Sequence, residues 1–269
     1  MPKYQKEKIT LKLNRSYFID MGHFIFTFTG YPSHRLGFLL LCLLYSCTTA
    51  EKKQAVSANY FPLRVGKVWI YSVEEVTTLR TNCTDNGVTS STYEWQVKVT
   101  DSVLNADMGF TYSIQNSKRL KPTDEWTSFS TWTAQVSSNK IIVNESNTNY
   151  VKLLIPVTNE LLWNGNLYNN RQELNGLNVD DYKATKVGEP YTNPSGLRFD
   201  NTVQVIQNEE QSNILYRDSR LEVYASQIGL VYKESYLLNY FANSQLPCYG
   251  QKKTQQGIIY KQSLKEYKQ

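Results

Sequence analysis

From Tyr93 to Thr100 the chain alternates without a break: Tyr93, Trp95, Val97 and Val99 are apolar, and Glu94, Gln96, Lys98 and Thr100 between them are polar. Successive side chains of an extended strand point to opposite faces, so this period of two describes a strand with one buried and one wet face, as in an antiparallel sheet. Phe110, Tyr112 and Ile114 repeat the pattern against Thr111, Ser113 and Gln115, and Asn105 to Gly109 between the two runs suits a hairpin. Twenty Tyr and five Trp stand beside only three Met, and aromatic side chains fit a pleated surface better than a helix bundle. With 41% hydrophobic and 20% charged residues among 269, the composition is that of a folded chain able to bury a core.

The same reading extends along the chain. Lys67 to Arg80 is a first strand bounded by the turn-like Asn82 to Gly87. Trp126 to Val136 and Lys140 to Glu145 flank Ser137-Ser138-Asn139 as a hairpin, and Tyr150 to Val157 is a short apolar strand. Leu161 to Gly176, rich in Asn, reads as an irregular crossover. Tyr182 to Val187 and Asn201 to Gln207 are strands on either side of a Pro194-Ser195-Gly196 turn. Asp218 to Ala225 reads as one or two helical turns with Asp218 as the cap. Ile228 to Leu238 and Gly257 to Tyr267 close the chain as strands. No twelve-residue amphipathic helix and no βα alternation appears, which excludes a doubly wound parallel sheet. The expected fold is all-β: a single antiparallel domain over residues 60–269, curled into a sandwich or a partly open barrel, with at most short helical turns.

Residues Leu36 to Tyr45 form the one continuously apolar run, preceded by Arg35 and followed by Ser46-Cys47. Ten residues are too few to cross a bilayer, which takes roughly 20, and match the apolar region of a signal peptide. Leu44-Tyr45-Ser46-Cys47 resembles a bacterial lipobox. The resemblance implies cleavage after Ser46 and a diacylglycerol, with further palmitate-type acylation, on Cys47; two or three chains anchor stably where one does not. Residues 1–46 are then a signal peptide, and 47–59, small and polar, a lipidated tether. Met21 offers a more ordinary start, in which case residues 1–20 are an over-extended beginning; an extended basic leader is the alternative.

Removing that leader changes the chemistry. It carries six of the 29 basic and two of the 24 acidic residues, leaving 23 against 22 in the mature chain, so no electrostatic case for nucleic acid remains. Both histidines, His23 and His34, also lie in it. A mature chain without imidazole has no Ser-His-Asp or Cys-His catalysis and no histidine-ligated zinc. Of the four cysteines only Cys83 and Cys248 are left over, and in an oxidising envelope compartment they most simply pair as a disulfide; two unpaired buried thiols are the alternative.

Tyr60-Phe-Pro-Leu63, Val65-Gly66, Trp69-Ile-Tyr71, Tyr224-Ala225 and Ile228 to Glu234 resemble motifs of secreted envelope lipoproteins of the Bacteroidetes type. The resemblance implies a lipid-anchored protein of a Gram-negative envelope, expected in the outer membrane and facing the periplasm or the cell surface, and it supplies no activity.

Candidate chemistry is sparse. The carboxylate pairs Glu74-Glu75, Asp180-Asp181 and Glu209-Glu210 are adjacent, so on strands their members face opposite ways and read as solvated edges and turns. Asp85-Asn86-Gly87 and Asn178 to Asp181 lack the ligand spacing of a calcium loop. No phosphate-binding glycine loop, cofactor fingerprint or metal set is present. Trp126, Trp132, Trp163 and Tyr168, with Phe129, Tyr182 and Tyr191, are candidates for a platform that stacks on sugar rings or encloses an apolar ligand, with core packing as the competing role. The resulting expectation is a cofactor-free, lipid-anchored, non-enzymatic module that binds a glycan, an apolar ligand or other envelope proteins. The alternatives are a carboxylate-dependent glycan hydrolase and a structural component of outer-membrane assembly.

Overall fold

Each strand pairs with the one before it except at a single seam between the sixth and the seventh, and the last pairs with the first. The computed structural model describes residues 59–106, 109–169 and 180–268, all within the unit 54–269. Twelve strands form one antiparallel sheet: β1 (Val68–Leu79), β2 (Val88–Leu104), β3 (Phe110–Arg119), β4 (Thr127–Val136), β5 (Lys140–Glu145), β6 (Thr148–Leu154), β7 (Leu162–Asn164), β8 (Asp181–Thr192), β9 (Arg198–Glu210), β10 (Tyr216–Ala225), β11 (Gly229–Tyr240) and β12 (Thr254–Lys268). The spatial order 6-5-4-3-2-1-12-11-10-9-8-7 is an up-and-down meander, nearly closed into a barrel. No helix forms among the described residues. Of the two expected architectures the barrel is the one adopted. Cys47, the expected signal peptide and all but the last residue of the expected tether lie outside the described residues.

The closing pair is long. β1 and β12 run in register from Val68 opposite Lys268 to Leu79 opposite Gln256, with Lys265 bulged out of β12. The open seam lies between β6 and β7, where Val151 N–H donates to Gly165 O at 2.9 Å and Trp163 Nε1 donates to Val151 O at 2.7 Å. Trp163 is buried there edge-on against Tyr182, ring centroids 5.9 Å apart, so a side chain completes what the three-residue β7 is too short to ladder.

Local chemistry sets the turns. The two-residue β5–β6 connection needs positive φ at both positions, and Ser146 (51°) and Asn147 (67°) adopt it while Asn147 N–H donates to Asn144 Oδ1 at 3.1 Å. The β1–β2 and β11–β12 connections are joined covalently by the Cys83–Cys248 disulfide, across a sequence separation of 165. The expected pairing is therefore present.

One expected element is corrected. Residues 218–225 are not helical turns but most of β10, and Asp218 caps nothing. Asp218, Arg220, Glu222 and Tyr224 recur at a spacing of two and are all buried, so they share the inner face of the strand. The segment hides its strand character from a search for apolar alternation because its interior row is charged.

Candidate functional site

Interior charges are the main departure of this barrel from a filled apolar core. Twelve strands enclose more space than the eight whose interior side chains fill, and two ionic clusters occupy part of it. In the first, Lys152 Nζ lies 2.7 Å from Glu145 Oε1 and 2.8 Å from Glu222 Oε1, and Lys233 Nζ lies 3.1 Å from Glu222 and 3.9 Å from Glu145. Tyr224 donates its hydroxyl to the other oxygen of Glu222 at 2.5 Å. Lys152 reaches this position through a bulge: Ile141 opposes Leu153 and Ile142 opposes Val151, so Lys152 is the extra residue on β6. A bulge of this kind re-aims a side chain that a regular strand would place elsewhere.

Two ammonium and two carboxylate groups make the cluster neutral overall. Burial pushes the Glu222 carboxyl up, but Lys152 and Lys233 outweigh it and hold the group well below its ordinary value of 4.5. Glu145 is lowered in the same way: burial raises it, and the two lysines more than offset that. For Lys152 burial acts downward, and Glu145 and Glu222 carry it above its ordinary 10.5 instead. Burial and then the charge of Glu222 drive the Tyr71 and Tyr224 phenols upward. Glu145, Glu222 and Lys152 are thus held in their charged forms at neutral pH, and neither glutamate is kept protonated to donate a proton.

The second cluster is more tightly bonded. Arg220 makes a forked contact with Asp180 at 2.7 and 2.8 Å and reaches Asp218 at 2.6 and 3.0 Å, while Asn166 donates to Asp180 at 2.7 Å. Burial works against the guanidinium charge, and the hydrogen bonds of Asp180 and Asp218 outweigh it. Asp180 is only 1% exposed, which corrects its reading as a solvated edge; Asp181 beside it is exposed. Fork-to-carboxylate geometry accounts for this cluster as structure.

Against the first cluster opens a cavity of about 90 Å³. Its walls are aromatic and aliphatic: Trp69 and Tyr71 from β1, Trp95 from β2, Trp132 from β4, Leu230 from β11, and Phe61-Pro62-Leu63 from the segment ahead of β1; Glu145, Lys152, Glu222 and Lys233 form its polar end. The β10–β11 turn is fastened to that leading segment and β1: Trp69 Nε1 donates to Ile228 O at 2.7 Å, Lys67 Nζ to Gln227 O at 3.0 Å, and Gln227 N–H to Asn59 O at 2.8 Å. Trp95 stands edge-on to Trp132, centroids 5.5 Å apart, and donates its Nε1–H to Asn116 Oδ1 at 3.0 Å.

The aromatic candidates from the sequence do not converge. Trp132 lines the cavity. Trp126 is half-buried beneath the Arg119 guanidinium, 4.3 Å from its ring centre, and Trp163 sits in the seam. Tyr168 is exposed, its hydroxyl 2.5 Å from Lys140 Nζ. The polar alternation on β2 also behaves differently from expectation at one place: Glu94 is buried, held by Arg119 at 2.6 Å and Lys265 at 2.5 Å. Asp85, as expected of a turn, accepts from Thr81 and Gly87 N–H groups. Among the described residues no group of three or more His, Cys, Asp or Glu is placed to hold a metal ion. Lys152, Lys233, Glu145 and Glu222 had no sequence motif to mark them; the recurrence of Asp, Arg, Glu and Tyr at every second position from 218 was the available signal.

No protein-family profile and no curated protein sequence matches the chain. Two solved structures are similar to it. One is a candidate lipoprotein from Parabacteroides distasonis, at 14% identity and a TM-score of 0.37, covering 78% of this chain and 99% of that one. The other is a candidate exported protein with a YmcC-like fold from Bacteroides fragilis, at 14% identity and a TM-score of 0.38, covering 79% of this chain and 100% of that one.

Proposed function

We propose that this chain is a lipid-anchored protein of the bacterial outer membrane whose barrel binds a small apolar ligand without transforming it. The observation that carries the binding reading is the cavity, in which three tryptophans and the Phe61-Pro62-Leu63 segment surround a self-neutralised charged end. Concave, mostly apolar pockets with a few fixed polar groups are the usual form of small-molecule sites. The anchor rests on the lipobox-like Leu44 to Cys47, and the Cys83–Cys248 bond suits an oxidising compartment. A carboxylate hydrolase finds less support, because its acid needs a raised pKa and both cavity glutamates are lowered. The cavity, about 90 Å³, is smaller than the ~150 Å³ that takes up a benzene ring but is open on one side, which favours a narrow chain that can extend out of it over a sugar ring.

Two experiments test this. Saturable quenching or shift of tryptophan emission on titrating the mature protein with n-heptane is expected, and its loss in a cavity-filling Leu230→Trp variant; a flat titration of the folded protein overturns binding. Cys47→Ala is expected to leave unprocessed, unacylated precursor, and normal maturation of that variant overturns the anchor.

A further inference from the structure

The β2–β3 hairpin runs on past the start of β1. Val68 opens β1 opposite Lys98, and just ahead of it Gly66 N–H donates to Val99 O at 2.9 Å and Val99 N–H to Lys67 O at 3.0 Å. Beyond Val99, β2 has no ladder neighbour on the β1 side among the described residues. It continues nonetheless to Leu104, about 17 Å more of strand, paired with β3 as far as Leu104 opposite Phe110. The end of this extension is apolar: Val103 and Leu104 are 61% and 62% exposed, and Phe110 is exposed beside Leu104. Adjacent strand residues face opposite ways, so the hairpin end is apolar on both of its faces. A docked protein covers one face of a hairpin, whereas an apolar medium surrounding the end covers both.

The chain from Cys47 arrives at this same end of the barrel. Asn59 O accepts from Gln227 N–H in the β10–β11 turn, and Tyr60 to Lys67 lead into β1, with Val65 exposed beside the bonds to Val99. At no more than about 3.5 Å per residue, the tether from Cys47 to Asn59 spans at most about 40 Å. An acylated Cys47 therefore keeps the end that carries Val65, Val103, Leu104 and Phe110 within that distance of the bilayer. Leu79, Val88 and Ile258 are exposed as well, but they stand at the opposite end, beside the connections that the disulfide joins.

We propose that the β2–β3 hairpin enters the lipid surface in which Cys47 is anchored, with Val103, Leu104 and Phe110 as the inserted side chains. This rests on the anchor in the reading above and adds to it a non-covalent contact that fixes which end of the barrel faces the membrane. Apolar side chains buried at the boundary between headgroups and acyl chains supply such a contact. Seated this way, the barrel also turns the Phe61-Pro62-Leu63 wall of its cavity toward the bilayer.

The test uses the mature, acylated protein in vesicles of phosphatidylethanolamine and phosphatidylglycerol, with and without bromine on the acyl chains. Leu104→Trp and Leu79→Trp each add one fluorophore at an exposed position, one at either end of the barrel. Urea midpoints equal to that of the unaltered protein check that both fold. Bromine is expected to abolish most of the emission that Leu104→Trp adds and to leave that of Leu79→Trp intact. Flotation with the vesicles while both added signals persist overturns the hairpin contact and keeps the anchor. Quenching of Leu79→Trp instead overturns it too, because the barrel then sits the other way round. A Leu104→Trp emission already shifted to the blue without vesicles, in step with protein concentration, makes the occupant a second copy and overturns the lipid contact. Failure of the purified mature protein to float overturns the anchor and the hairpin contact together.

Discussion

Lys152 on β6 and Glu222 on β10 meet at 2.8 Å across the barrel interior, with 70 positions of sequence between them. Neither is on the surface: their side chains are 5% and 2% exposed. An ammonium and a carboxylate taken out of water are stable only when paired and further hydrogen-bonded, as here by Glu145, Lys233 and Tyr224. The pair therefore fixes how β6 and β10 face each other more than it adds to net stability.

Removing one member should accordingly do more harm than removing both. Lys152→Met leaves Glu145 and Glu222 with Lys233 alone, and a loss of about 3–5 kcal/mol is expected in urea unfolding. Lys152→Met combined with Glu222→Leu leaves Glu145 paired with Lys233 and should recover most of that loss. A double variant no more stable than the single one would show that the pair does not act as a unit.

Acid should weaken the fold through the same glutamates. Both carboxyls are held below their ordinary 4.5, so their contribution is complete above that value and is lost as pH falls through and below it. Lys152, held above its ordinary 10.5, contributes below that value and is lost only on stronger alkalisation. The urea midpoint should therefore be level between about pH 5 and 9 and fall steeply on acidification. The acid limb should be shallower in the Lys152→Met variant, and an unchanged limb would locate the acid sensitivity elsewhere.

Reduction of the disulfide should cost more than most single contacts. Cys83 and Cys248 close a separation of 165 residues, for which chain entropy gives about 5 kcal/mol as an upper figure. Cys83→Ser with Cys248→Ser is expected to fold but to unfold at markedly lower urea. Alkylation of the native, unreduced protein should label neither thiol, and labelling of both would refute the bridge.

Gly165 offers a test of the seam. A Cβ there would stand 2.3 to 2.5 Å from ring carbons of Tyr182, which is itself 1% exposed, so the buried ring would have to shift. Gly165→Ala should cost about 1–3 kcal/mol by overpacking. Because Gly165 O holds Val151 N–H beside Trp163, the emission of Trp163 should shift in the same variant. An alanine accepted without loss would mean that Tyr182 is free to move.

The strands were written locally. Tyr93 to Thr100 and Phe110 to Gln115 alternate as a pleated surface demands, and Lys140–Glu145 begins and ends where its turn residues say. The expected pairing of Cys83 with Cys248 is the bridge that forms. Periodicity reports which face of a strand is apolar, and it fails where the inner face is charged, which is why Asp218 to Ala225 read as helix and became β10. The charged interior and the cavity were decided only in three dimensions. A lone lysine such as Lys152 carries no mark of burial until a bulge turns it toward Glu222 from a distant strand, since the attraction that makes burial tolerable depends on separation in space and not along the chain.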